Sequence, residues 1–349
     1  MWFKKILQSI FFGLIIAGIF ILLTPSLRKQ LPIFTPQVVS YKDAVRVASP
    51  AVVNVYNESF SSISGNNHQV NTLGSGVIMS ADGYILTNKH VIQNAEQIVV
   101  ALQNGQIFAA QLVGSDIVTD LAVLKIKAQN LPTIPQNLER KNHVGDVVLS
   151  IGNPYNLGQS VSQGIISALG RNVVSDSMGR QDFIQTDASI NRGNSGGALI
   201  NSLGELVGIS TLSIGKNSQD MAEGLNFAIP IDVANEIMHR IIKDGRVIRG
   251  YLGVQSNILF NNGEGVINKG VLVTAVAPAS PAAIAGIQSG DLITKFANIE
   301  IKTPVQLMSL ISKTKPSTTV EITLNRLGHT LQLPVTITEY RVIHNKPIN

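Results

Sequence analysis

From Ile6 to Leu27 the chain carries no charged residue, and Ile, Leu and Phe dominate the run. Such a stretch is stable only where its side chains leave water, so it sets the N-terminus apart from everything that follows. Its 22 residues reach about 33 Å as a helix, enough for a hydrocarbon core of about 30 Å. A cleavable signal peptide would carry a shorter apolar stretch, about 7–15 residues, ending in a small-x-small site. Here the run leaves through Thr24-Pro25-Ser26-Leu27-Arg28, which offers no such site and reads as a retained transmembrane anchor over residues 6–27. Lys4 and Lys5 on one side face Arg28 and Lys29 on the other, so charge sets no orientation. The position of the anchor favours a short cytoplasmic tail, residues 1–5, and a large domain outside.

The remainder is globular: 44% hydrophobic against 14% charged residues excludes a disordered chain. A length of 349 residues suggests two folded units at roughly 150 residues each. Thirty glycines and fourteen prolines without a repeat imply many turns, hence strands, and exclude a helical bundle or a collagen period. The absence of cysteine removes thiol nucleophiles, thiolate metal sites and disulfides together. A formal charge of +5 without a basic run gives no sign of a nucleic-acid partner. No His-Glu-x-x-His or carboxylate cluster calls for a metal, and nothing calls for a cofactor.

Residues 28–42 hold Pro32 and Pro36 and no apolar period, and read as a tether. Short β-rich runs follow at Ala51–Tyr56, Gly76–Met79, Tyr84–Thr87, Ile98–Leu102, Ala122–Ile126, Asp146–Ile151 and Leu206–Ile209. Their spacing is that of a sandwich or barrel, with hairpin turns at Asp82-Gly83 and Asn104-Gly105. Glu58 to Asn71 is polar and reads as an exposed loop. After Pro230, an apolar stripe of Val233, Ile237, Met238, Ile241 and Ile242 predicts a helix, with Asp232 in its first turn and Gly245 closing it. The first folded unit therefore covers residues 43–245. A second, residues 250–340, contains helical segments at Pro281–Gly286 and Pro304–Lys313 and ends in strands Val320–Asn325 and Thr330–Thr336.

The segment from Asn191 to Leu199 sets one serine, Ser195, among Gly193, Gly196 and Gly197. Such a backbone turns tightly, and the N–H groups of Gly193 and Ser195 can converge on one oxygen beside a nucleophile. The same pattern also occurs as an ordinary turn, so the reading depends on partners. A serine hydroxyl needs a base. Of six histidines, His90 stands at the end of an apolar strand, whereas His68, His143 and His239 fall in a polar loop, a turn and on a helix surface. The orienting carboxylate is Asp120, opening the apolar strand Leu121-Ala122-Val123-Leu124. Asp116 is the competitor and looks like a turn residue. The chain order His, Asp, Ser matches two-barrel serine proteases and contradicts the α/β-hydrolase order.

Taken together, Gly74-Ser75-Gly76-Val77-Ile78, Leu86-Thr87-Asn88-Lys89-His90-Val91, Thr119-Asp120-Leu121-Ala122-Val123-Leu124 and Gly193-Asn194-Ser195-Gly196-Gly197 resemble the HtrA family of serine proteases. The likeness extends over the chain after the tether. It implies a mostly β fold: a chymotrypsin-like double β-barrel protease domain plus one PDZ domain, behind the N-terminal transmembrane helix. One anchor, a short Glu58–Asn71 loop and a single PDZ unit are similar to the membrane-tethered regulatory branch of Gram-negative bacteria. That likeness implies a homotrimer in the periplasm, held at the inner membrane, which cleaves the anti-sigma factor RseA to start the sigma-E envelope-stress response. It implies activation by C-terminal peptides of outer-membrane porins, their carboxylate captured by Tyr251, Leu252, Gly253 and Val254. Ser189, six residues before the nucleophile, would line a neutral P1 pocket, which disfavours cleavage after Lys or Arg. Arg171 matches the position of the sensor-loop arginine. Two rival readings remain: a broad quality-control protease with chaperone activity, and a non-enzymatic peptide-binding scaffold.

Overall fold

A computed structural model of the chain describes residues 2–24, 40–60, 68–154, 157–172, 182–191, 193–213, 225–256 and 270–340. Helix α1, Trp2–Leu23, is long and apolar enough to cross a membrane. It begins four residues before the expected span and includes Lys4 and Lys5, whose long side chains can reach water from a helix end. It closes at Leu23 because Pro25 disfavours helical backbone at the residue before it. Most of the expected tether lies outside the described residues. At its end a short helix that the sequence did not suggest, α2, covers Lys42–Ala48.

Strands β1 (Val52–Phe60), β2 (His68–Ile78), β3 (Tyr84–Asn88), β4 (Gln97–Ala101), β5 (Ile107–Asp116) and β6 (Leu121–Lys125) close into a barrel in the order β1-β2-β3-β6-β5-β4. A second barrel, in the order β10-β11-β12-β9-β8-β7, is made by β7 (Val147–Gly152), β8 (Ser160–Asn172), β9 (Asp182–Thr186), β10 (Ala198–Asn201), β11 (Leu206–Ser213) and β12 (Asn226–Pro230). Closure leaves neither sheet with a free edge. Each strand turns alternate side chains inward, so the first barrel buries Val53, Val55, Val77, Ile85, Val100 and Val123. The second buries Val148, Ile166, Ile184, Leu199 and Val207.

The polar stretch expected as a loop from Glu58 to Asn71 is partly ladder. Glu58 pairs with Val70, Ser59 with Gln69 and Phe60 with His68. Backbone pairing needs no apolar side chain, so the hairpin continues past the point where composition turns polar. Residues 61–67 lie outside the described residues.

Helix α3, Ile231–Asp244, follows Pro230 and buries Ile231, Ala234, Ile237, Met238 and Ile241, while Ile242 faces outward. Gly245 closes it in the left-handed region, its N–H bonded to Ile241 O. The chain then forms two short pairs, β13 (Gly250–Tyr251) with β21 (Thr338–Glu339) and β14 (Val254–Gln255) with β16 (Ala275–Val276). Beside them lies a sheet of β15 (Val271–Leu272), β17 (Leu292–Phe296), β18 (Ile299–Glu300), β19 (Thr319–Arg326) and β20 (His329–Thr336). Two helices complete this unit: α4, Pro281–Ile284, capped by Ser280 Oγ, and α5, Pro304–Lys313, capped by Thr303 Oγ1. Its core gathers Leu252, Ile293, Phe296, Leu307, Ile322 and Leu324.

A buried ion pair holds one end of this unit. Asp291, 1% exposed, accepts from Arg326 Nε at 2.7 Å and Nη2 at 2.8 Å, and from the Gln288 N–H at 2.8 Å. Burial, the largest influence, pushes its carboxyl up, but Arg326 and the Gln288 N–H together outweigh it and hold it below the ordinary carboxylate value. Arg326→Ala strands that charge and is expected to cost about 3–5 kcal/mol in unfolding free energy near neutral pH. A depressed native value means the pair stabilises above about pH 4 and fades as pH falls through it. Denaturant melts should therefore show the gap between wild type and variant shrinking below about pH 4.

Candidate active site

His90 sits on a single 3-10 turn, Lys89–Ile92, that directly follows β3. β3 pairs with β6, Asn88 opposite Leu121, so the residue before β6 arrives beside that turn. This residue is Asp120, in left-handed backbone at φ +55° rather than in the strand itself. The turn lets its carbonyl accept from the Lys89 N–H at 2.8 Å and from Asn88 Nδ2 at 3.1 Å.

The carboxylate is 5% exposed and its partners are in place, as a buried charge requires. Oδ1 accepts from the His90 backbone N–H at 3.0 Å. Oδ2 accepts from His90 Nδ1 at 2.5 Å and from Thr211 Oγ1 at 3.1 Å. A carboxylate only accepts, so Nδ1 carries the hydrogen, and in the neutral ring Nε2 then keeps its lone pair. The imidazole is 38% exposed and thus both fixed and reachable.

Ser195 comes from the other barrel, on the turn entering β10, and β2 clamps that turn. The Ser75 N–H donates to Ser195 O at 2.8 Å and Ser75 Oγ donates to Gly193 O at 2.7 Å. Ser75 Oγ also accepts from the Asn153 N–H at 3.0 Å, and Thr87 Oγ1 donates to Ser75 O at 2.7 Å. The approach tolerates only glycine at 196: φ is +83°, and a Cβ there would lie 2.1 Å from Ser75 O. The N–H groups of Gly193 and Ser195 meet no acceptor among the described residues.

The Ser195 hydroxyl donates to Thr211 O at 3.1 Å, and no bond to His90 is formed. Thr211 therefore joins the serine to the Asp120–His90 pair, its carbonyl taking one and its hydroxyl serving the other. Catalytic hydrogen bonds are often open or poorly aligned without substrate. Thr211 and Ser75 were missed by sequence reasoning. Ser75 was visible only as part of a Gly-Ser-Gly motif, and Thr211 lies two residues past the end of the β-rich run read at Leu206–Ile209.

Asp116 is not the turn residue expected. It ends β5, is 5% exposed, and binds Arg249 through both oxygens, at 2.5 and 2.7 Å. Its Oδ2 also accepts from the Thr119 N–H at 2.9 Å and Oγ1 at 2.6 Å. Arg249 directly precedes β13, so this pair ties the segment carrying Asp120 to the start of the second domain.

Ser189 is exposed, and its carbonyl accepts from Ser162 Oγ at 2.8 Å and Asn194 Nδ2 at 3.5 Å. Asp187 Oδ1 is taken by the Ile165 N–H at 2.7 Å. Arg171 lies on β8, its backbone paired with Phe183, not in the loop beyond; its side chain and residues 173–181 are outside the described set. In the second domain, Leu252 O accepts from the Ala282 N–H and Gly253 O from the Ala277 N–H, both at 2.9 Å. A Cβ on Gly253 would lie 2.2 Å from Ser280 Cβ. The loop is thus fixed by its carbonyls, while the N–H groups of Leu252 and Gly253 meet no acceptor among the described residues.

Two closed six-stranded barrels, with His90, Asp120 and Ser195 meeting at their seam, define a trypsin-like serine endoprotease that carries a PDZ domain. Comparison with known proteins agrees. A family described as "Trypsin-like peptidase domain" matches residues 74–209, and one described as "PDZ domain" matches residues 250–337. Serine endoprotease DegS of Haemophilus influenzae is 64% identical over 342 residues, spanning 97% of this chain and 99% of that protein. The crystal structure of the serine endoprotease from Yersinia pestis superimposes with a TM-score of 0.73 at 52% identity, covering 88% of this chain and all of that one. HtrA-type protease AlgW with decapeptide gives a TM-score of 0.77 at 40% identity over 87% of this chain and 100% of that chain. The chain belongs to the HtrA family of serine proteases, in its DegS branch.

The Thr211 hydroxyl is a buried donor to a charged acceptor, a bond worth about 1.5–3 kcal/mol. Thr211→Val keeps the shape, and kcat should fall by roughly 10–100-fold with KM little changed. Steady-state peptide hydrolysis, with melting curves recorded in parallel, checks this.

Proposed function

We propose that this chain is a regulatory endopeptidase whose hydrolysis is carried out by His90, Asp120 and Ser195. The observation that carries this reading is the chain of hydrogen bonds His90–Asp120–Thr211–Ser195 across the barrel seam. Ser195 Oγ attacks the scissile carbonyl as its proton passes to His90 Nε2, which later delivers it to the leaving amine. Asp120 keeps Nδ1 protonated, aims the ring and stabilises the imidazolium. The Gly193 and Ser195 N–H groups receive the oxyanion, each such donor being worth about 10²–10³ in rate. Ser189 lines the P1 pocket. With Asp187 already bonded to a backbone N–H, a basic P1 side chain finds no buried partner, and small aliphatic residues fit better.

Regulation follows from the PDZ domain. Its free N–H groups at Leu252 and Gly253, flanked by Tyr251 and Val254, suit the terminal carboxylate of an extended peptide. By likeness to the DegS branch, those peptides are the C-termini of unassembled outer-membrane porins and the substrate is the anti-sigma factor RseA. By the same likeness the protein is a homotrimer in the periplasm, held at the inner membrane by α1. The Ser195 hydroxyl resting on Thr211 O supports a low-activity state that peptide binding must alter, and Arg171 is the proposed sensor of occupancy.

A periplasmic RseA fragment should be cut slowly by the wild type alone and much faster with a porin C-terminal peptide. Ser195→Ala should abolish both rates while leaving the assembly unchanged by light scattering. Cleavage that persists in Ser195→Ala contradicts the assignment of the nucleophile. Rapid digestion of casein without peptide contradicts the regulatory part and favours a broad quality-control protease.

A further inference from the structure

A cavity of about 400 Å³ lies between the protease and PDZ domains, a size typical of sites that take small or peptidic ligands. One wall is the PDZ side: the Tyr251–Val254 loop and the α5 residues Val305, Met308, Ser309 and Ser312. Val305 and Met308 stand 39% and 48% exposed, apolar side chains left open to this groove. The facing wall belongs to the protease. Val233, Glu236, Ile237 and Arg240 of α3 line it, with Val118 and Thr119 alongside. The α3 positions are spaced i, i+3, i+4 and i+7, a single face of one helix.

Charge on this groove is uneven. Arg240 Nη2 pairs with Glu236 Oε1 at 2.6 Å on α3, both side chains partly exposed, and such a helix-surface pair is easily exchanged for another partner. Arg249 is engaged by Asp116. Lys313, at the end of α5, also lines the cavity and makes no ion pair among the described residues. Glu236 is thus the sole anion among the lining residues, against the cations Arg240, Lys313 and the already neutralised Arg249.

We propose that α3 is a second reader of the bound peptide: a chain end seated on Leu252 and Gly253 lies between α5 and α3, and Arg240 selects for an acidic side chain within its last residues. The inference rests on the PDZ groove being a carboxylate site, as argued above, and adds that the protease domain itself contributes to specificity. Thr119, the residue before Asp120, lines the same cavity. Complementary charge of this sort acts chiefly on selectivity and weakens with salt.

The test uses the full-length protein in detergent and labelled decapeptides ending in Phe with a free carboxylate. Each carries Glu or Lys at one of the positions two to five residues from the end. Fluorescence anisotropy should show the Glu peptide binding about 5–10-fold tighter than the Lys peptide at one of these positions in low salt. Arg240→Glu should abolish or reverse that ratio with an unchanged melting temperature. Both proteins should bind a C-terminally amidated peptide at least tenfold more weakly. Equal affinities in the wild type at every position, or a ratio unaltered by Arg240→Glu, overturns the role of α3 while leaving the carboxylate site standing. Failure of every free-carboxylate peptide to bind, or indifference to amidation, overturns the carboxylate site and this inference with it.

Discussion

The buried contact between Ser75 and the turn that carries Ser195 is the constraint on which the rest depends. Two barrels each satisfy their own backbone by closing, so nothing in the ladders obliges them to dock in a defined way. Ser75 supplies that obligation. Its N–H and hydroxyl both reach the nucleophile turn, and its own carbonyl is held by Thr87 one strand away. Because the groups are fully buried, losing one partner leaves an unsatisfied polar atom, which costs more than the bond itself contributes. Gly196 makes the approach possible, since any side chain there would strike Ser75 O. Ser195 and His90, the proposed nucleophile and base, are therefore positioned by the same seam that joins the barrels.

The arrangement around Asp120 follows from that docking. Its carboxylate is held from three directions: the His90 backbone, the His90 ring and Thr211. Thr211 belongs to the second barrel, so the orienting acid of the first barrel is completed by the second. On the far side, Asp116 and Arg249 join the same segment to the residue that opens the PDZ domain. Hydrogen bonds through Arg249, Asp116 and Thr119 thus link the PDZ loop to the residue next to Asp120.

Much of this was legible in the sequence, and the reasons differ by element. The helix after Pro230 was readable because its apolar stripe and closing glycine are local signals. The strand pairs on either side of Asp82-Gly83 and Asn104-Gly105 were readable for the same reason. Four barrel strands were not: β8, β9, β10 and β12. β8 contains two glycines and several polar residues, and its identity is conferred by neighbours β7 and β9, which no local pattern can show. His90, Asp120 and Ser195, the proposed triad, were singled out by chain order and motif. Thr211 and Ser75 were not, because a threonine or serine in a strand carries no mark of the partner that another barrel brings to it. Asp116 was misjudged for the same reason: its partner Arg249 lies 133 positions away.

Reactivity of the nucleophile itself is the most direct test of this account. Intact mass analysis after incubation with a fluorophosphonate should show one adduct per chain, mapped by peptide sequencing to Ser195. His90→Ala should remain folded yet label far more slowly. An adduct on another residue, or equal labelling with and without the imidazole, would contradict the claim that these side chains from two barrels form one catalytic unit.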